Sequence, residues 1–126
     1  MNTLNLQAKL DHLLAIAGES DLAAFELMLD ERIRQVEEEG WSPSFDDERR
    51  GRGELAAAAA CYGLSVTQRA STFADTGSLD VRPSAPHPCW PFSITTWRPA
   101  SKRRMGVKSA ALMLAEIARD IRNQIP

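Results

Sequence analysis

Gly53-Glu-Leu-Ala-Ala-Ala-Ala-Ala-Cys-Tyr-Gly63 sets five consecutive alanines between two glycines. Alanine has the highest helix propensity and almost no bulk. The run therefore predicts a helix over 52–63 that another backbone approaches closely, with Gly63 as its left-handed stop. Working outward, Leu6, Leu10, Leu13, Leu14 and Ala17 recur at helical spacing over 1–18, and Gly18 closes that segment. A second helix is expected over 20–39, capped by Ser20 or Asp21. Its stripe of Leu22, Phe25, Leu29, Ile33 and Val36 would face the core, with Glu26, Asp30, Arg34 and Glu37 toward water. Over 101–123, Val107, Ala110, Leu114, Ile117 and Ile121 predict a last helix whose seam meets the second helix or a partner chain. Residues 64–100 read as irregular, with Val66, Phe73, Leu79 and Val81 scattered among Thr, Ser, Gly and Asp and at most a short hairpin. The fold class is mainly α: a single small domain, 1–126, of about four helices with a long Pro/Trp-rich loop.

Composition narrows the function classes. With 126 residues, 44% of them hydrophobic and 25% charged, the chain has the make-up of a folded globular domain. The apolar run from Leu55 to Leu64 is far shorter than the roughly 20 residues of a spanning helix. The start, Met-Asn-Thr-Leu-Asn-Leu, does not resemble a secretory leader, so a cytoplasmic location is expected. Cys61 and Cys89 are the two cysteines and His12 and His87 the two histidines. No zinc-ligand spacing appears among them, and two reduced, half-buried thiols are expected, with no metal and no cofactor. A phosphate-binding Gly-rich loop is missing. Cys61 has no histidine near it in sequence, so no catalytic residue is assigned.

Charge is the informative signal. Residues 1–48 hold twelve acidic and three basic side chains, whereas 49–126 hold five acidic and twelve basic. Opposed halves suit packing on each other within a chain or across an oligomer. Eight cations of the basic half fall in two clusters, Arg49-Arg50-Gly-Arg52 and Arg98 with Lys102, Arg103, Arg104 and Lys108. The second lies at the start of the last helix, where cations oppose the helix dipole and a bound anion would relieve the conflict. It follows His87-Pro-Cys-Trp-Pro-Phe-Ser-Ile-Thr-Thr-Trp-Arg-Pro99, in which prolines forbid a helix interior while Trp90 and Trp97 need burial. Tryptophan faces beside cations are what a nucleotide's base and phosphates require. Trp90 is expected to cap the core with its indole N–H on a carbonyl, and Trp41 to anchor the turn after the second helix. The acidic Glu37-Glu38-Glu39 end of that helix calls for a basic neighbour.

Glu31-Arg-Ile-Arg-Gln35, Glu39-Gly-Trp-Ser-Pro43, Asp46-Asp47, the alanine run to Tyr62, Trp90-Pro-Phe92, Trp97-Arg-Pro99 and Lys102-Arg-Arg through Ala115-Glu-Ile117 together resemble a family of small, uncharacterised phage and prophage proteins. The likeness covers about residues 30–122 in one order. Members commonly carry histidines around the paired aspartates, where this chain has Phe45 and Glu48-Arg49-Arg50. That departure argues against a metal-hydrolase reading. The order Arg32, Gly40-Trp41, Asp46 and His87-Pro88-Cys89 is also similar to the ryanodine-receptor repeat domain, which implies nucleotide sensing.

These readings converge on a phage-type accessory or anti-defence protein of a bacterial host's cytoplasm that binds and sequesters a small anionic nucleotide without cleaving it. The expected site is Trp97, Arg98, Lys102, Arg103, Arg104 and Lys108 as one patch, with Arg50, Asp47, Glu54, Tyr62, Trp41 and Trp90 around it. Asp46, Asp47 and Glu54 are expected to orient arginines rather than hold a metal. A homodimer or higher homo-oligomer is expected, because the charges of the halves are opposed and the Ala56–Ala60 face has too little side chain to cover a core alone. The alternatives are a metal-dependent pyrophosphohydrolase resembling the MazG type, which would use clustered carboxylates, and a protein-interaction inhibitor or small nucleic-acid-binding accessory. The pI of about 5.7 argues against an extended nucleic-acid footprint.

Overall fold

A computed structural model describes residues 3–76 and 85–126, with side chains described over 5–67 and 85–126. Its elements are helices α1 (Thr3–Ala17), α2 (Glu19–Glu37), α3 (Pro43–Arg49), α4 (Glu54–Thr76) and α5 (Lys102–Arg122), with a short 3-10 turn at Ile94–Thr96. No strand occurs among the described residues, and the fold is mainly α. The hairpin considered near Leu79 and Val81 lies outside them. No helix among the described residues is long and apolar enough to cross a membrane.

The core is the α4–α5 pair. The alanine run lets the two backbones close on each other: Ala58 and Ala59 are fully buried, and Ser109 Oγ on α5 donates to the Ala59 carbonyl at 2.7 Å. Of the Ala56–Ala60 face, α5 covers Ala58 and Ala59, while Ala56 and Ala57 are half-buried and Ala60 is exposed. Gly63 does not stop the helix as its type suggested, and α4 continues to Thr76. A Cβ added to it would stand 3.4 Å from Ser109 Oγ, an ordinary contact distance. Leu55, Cys61, Met105, Leu112 and Ala115 fill the interface, with Trp97 beside them.

The outer helices correct the expected stripes. On α2 the buried residues are Glu31 and Gln35, while Leu29 and Ile33 are 40% and 52% exposed. Arginines make the polar face the packing face: Arg34 Nε donates to Glu31 at 2.6 Å, and Arg104 of α5 reaches the same carboxylate at 2.8 Å. On α5 the buried face is Met105, Val107, Ala111, Leu112 and Ala115. Of the proposed seam, Val107 is buried, Ala110 and Leu114 are half-buried, and Ile117 and Ile121 are exposed. The core-facing stripe follows the small residues that admit α4. Gly18 (φ 90°) is the N-cap of α2 and gives no side-chain cap, two and three residues before the caps considered at Ser20 and Asp21. By contrast Ser101 does cap α5, accepting from Arg104 N–H at 3.3 Å. An unforeseen helix, α3, is started by Ser42, which accepts from Phe45 N–H at 3.2 Å, with Pro43 in the first turn.

Candidate functional site

The proline-rich loop and three helices enclose a cleft of about 390 Å³. Its aromatic wall begins with a turn in which Trp90 N–H donates to the His87 carbonyl. Trp90 then meets Phe92, Tyr62 and Trp97 edge to face, with centroids 5.4, 5.4 and 5.0 Å apart. Its indole N–H donates to the Ser93 carbonyl at 3.2 Å, so this tryptophan caps the core while one surface stays on the cleft. Trp97 is buried and stacks on Tyr62 at 4.8 Å and 17°. Trp41 completes the wall from the turn after α2, where its N–H donates to the Gln35 carbonyl and its own carbonyl accepts from Arg32.

The cleft's charged groups divide into two kinds. Glu31 and Glu39 line it but are already matched: Arg34 bonds Glu31 and stands 2.8 Å from Glu39, and Arg104 holds Glu31 from the other side. The hydrogen bond to Glu31 leads in raising Arg34 above its usual range. Arg34, on α2 itself, is the basic neighbour of that helix's acidic end, 3.8 Å from Glu38 and 2.8 Å from Glu39. Arg50, Arg98 and Lys108 also line the cleft, and among the described residues none has a carboxylate within ion-pair distance. Arg50 lies over Phe92 at 4.3 Å and Phe45 at 5.0 Å. Its Nε is buried with no hydrogen-bond partner among the described residues. Arg98 donates to the Thr95 and Trp97 carbonyls, and Lys108 donates to the Arg98 carbonyl at 3.0 Å. Burial lowers the pKa of Arg50 and Lys108 and pushes the Tyr62 hydroxyl up to about 12. A charged anion is the natural complement, since it would offset the burial of these cations.

Gln35 supplies an element that sequence reading missed. It is 2% exposed, it lines the cleft, and its amide oxygen has no hydrogen-bond partner among the described residues. An unmet buried acceptor costs about 1–3 kcal/mol, which a ligand N–H would recover.

Of the residues picked from sequence, Arg98, Lys108, Arg50, Tyr62, Trp41 and Trp90 share this cleft. Of the patch expected at the start of α5, Arg98 and Lys108 line the cleft. Helical geometry turns Arg103 toward Leu27 and Met28 of α2, into a separate shallow hollow, while Arg104 is spent on Glu31. Lys102 and Trp97 are not among the lining residues, Trp97 being packed behind Tyr62. Asp47 is held by Arg122 at 3.0 Å and Asn123 at 3.3 Å, and Glu54 accepts from Arg52 N–H at 2.7 Å. Asp46 is fully buried against Arg32 at 3.3 Å, and burial raises its pKa against the pull of Arg32 and Arg50. Asp46 and Glu54 both stand near Glu116, whose pKa is raised by burial, then by Asp120.

The described residues that could hold a metal are Cys61, His87 and Cys89, whose donor atoms lie within 4.8 Å of one another. Sequence spacing gave no hint of the grouping, because 26 residues separate Cys61 from His87. The thiols are not two half-buried groups as expected: Cys61 is buried and Cys89 exposed.

Comparison of the chain with known protein families, curated proteins and solved structures finds no match.

Proposed function

We propose that this cleft binds a small anionic nucleotide and retains it without cleaving it. The observation that carries the reading is the convergence of Arg50, Arg98 and Lys108, free of carboxylate partners among the described residues, on a space walled by Trp41, Trp90 and Phe92. The volume falls within the range of small-ligand sites. Cations answer the phosphate, an aromatic face answers the base, and the Gln35 oxygen answers an exocyclic amine or ring N–H. Retention rather than hydrolysis is supported by the engagement of Asp47 by Arg122 and Asn123 and of Glu54 by a backbone N–H. The pyrophosphohydrolase alternative would draw on Glu116 and Asp120, with Asp46 and Glu54 near Glu116.

The setting completes the proposal. The resemblance to small phage proteins supports an accessory or anti-defence role in the cytoplasm of an infected or lysogenic host, where sequestering a nucleotide signal would be useful. A homodimer is supported by the exposure of Leu29, Ile33, Ile117 and Ile121, which leaves apolar surface on both α2 and α5. Calorimetric titration with a panel of linear and cyclic nucleotides tests the site. Arg98→Ala and Lys108→Met should each weaken binding by about tenfold, equivalent to about 1.4 kcal/mol. Arg103→Ala, outside the cleft, should leave it unchanged. Equal loss from all three would reduce the effect to net charge.

A further inference from the structure

Cys61 and Cys89 are 28 residues apart in sequence, yet their sulfurs stand 2.8 Å from each other. That is inside the packing distance of two non-bonded sulfurs, and a small movement of the loop takes them to the covalent separation of about 2.05 Å. One sulfur sits on the rigid core helix α4 and is fully buried; the other is exposed on the loop between Pro88 and Pro91. We infer that Cys61 and Cys89 are a site of reversible oxidation, forming an intramolecular disulfide by exchange with a small-molecule disulfide of the glutathione class.

The asymmetry sets the order of events. Only Cys89 is open to a reagent from solvent, so its thiolate attacks the small disulfide first. One S–S bond breaks, a mixed disulfide forms on Cys89, and one glutathione thiolate leaves. Cys61, which burial pushes up to about 12, remains a thiol until that point. It then attacks the Cys89 sulfur, and its proton departs with the second glutathione as a thiol. The two protein thiols are oxidised and one glutathione disulfide is reduced to two thiols.

A metal fits these groups less well. His87 Nδ1 already accepts the Cys89 N–H at 3.1 Å. Two thiolates on a tetrahedral zinc, with bonds of about 2.3 Å, would stand about 3.8 Å apart, well beyond the observed separation. The crosslink would pin Trp90, the neighbour of Cys89, against α4. Its effect on the cleft rests on the nucleotide reading, but formation of the bond does not.

Intact-mass spectrometry of the reduced full-length protein after incubation with oxidised glutathione tests the inference without any ligand. The native chain should lose two hydrogens, carry no glutathione, resist alkylation at both cysteines and revert on reduction. Cys61→Ser should keep one glutathione on Cys89, and Cys61→Ala, which suits a helix already rich in alanine, should do the same if the serine disturbs the core. Cys89→Ser should stay unmodified. A native chain that accumulates the glutathione adduct, remains open to alkylation at both thiols, or is purified with zinc on them would overturn the inference.

Discussion

Removing both arginines that hold Glu31 should destabilise the protein by more than the two single losses together. Glu31 is 1% exposed, and its carboxylate accepts from Arg34 Nε at 2.6 Å and from Arg104 at 2.8 Å across the α2–α5 interface. After either single substitution, Arg34→Ala or Arg104→Ala, one charged hydrogen-bond partner remains. Such bonds contribute about 1.5–3 kcal/mol, and both arginine side chains are about a third exposed, so each single loss should be about 1–2 kcal/mol. With both gone the carboxylate is buried and unpaired, and the cost should reach about 3–5 kcal/mol. The cycle should therefore show at least about 1 kcal/mol of coupling. Urea unfolding followed by tryptophan fluorescence measures it, with unchanged slopes confirming that the comparison is of stability alone. Additive losses, or a double variant costing less than about 1.5 kcal/mol, would show that Glu31 is rehydrated rather than buried and would refute the packing of α2 through its polar face.

Lys108 gives a pH test. Burial depresses its pKa, and a bound anion would raise it again, so affinity should hold below the depressed value and fall as pH rises through it, with proton uptake on binding. Calorimetry in two buffers of different ionisation heat detects that uptake, and Lys108→Met should abolish it. Gly63→Ala should stabilise α4 by about 0.5–1 kcal/mol, because the added methyl meets Ser109 Oγ at ordinary contact distance; a loss of stability in thermal melts would mean the helices are packed closer than that. Light scattering in about 0.15 M salt should give the mass of a dimer, where packed interfaces survive screening. Ile33→Glu should shift that mass toward one chain, whereas a native mass of one chain would remove the dimer.

What the sequence made legible was the set of helices and the cast of the cleft, more than their geometry. The start of the last helix near Ser101 is readable, and the Ser101 side chain acts on its own first turn. Gly63 is not readable as a mid-helix residue, since the helix is carried past it by packing of α4 on α5 rather than by its own propensity. The α2 stripe misled for a related reason: apolar spacing marks Leu29 and Ile33, but burial went to Glu31 because Arg104, 73 residues away, neutralises it. Arg98, Lys108, Trp41 and Trp90 were identifiable as residues with a task, whereas Gln35 was not. An amide inside a helix gives no sign in sequence that its oxygen will be buried without a partner. α3 could have been found from Ser42-Pro43, a cap and first-turn pair hidden by reading Trp41-Ser-Pro as a simple turn.

The most direct test of the cleft is to incubate the protein with a mixture of cyclic and linear nucleotides, remove unbound material, denature the protein by heat and separate what is released by chromatography. Binding without cleavage predicts that one nucleotide class returns chemically intact and in stoichiometric amount, and that the Arg98→Ala, Lys108→Met double variant retains none. Release of a hydrolysed product, or no retention by the native protein, would contradict it.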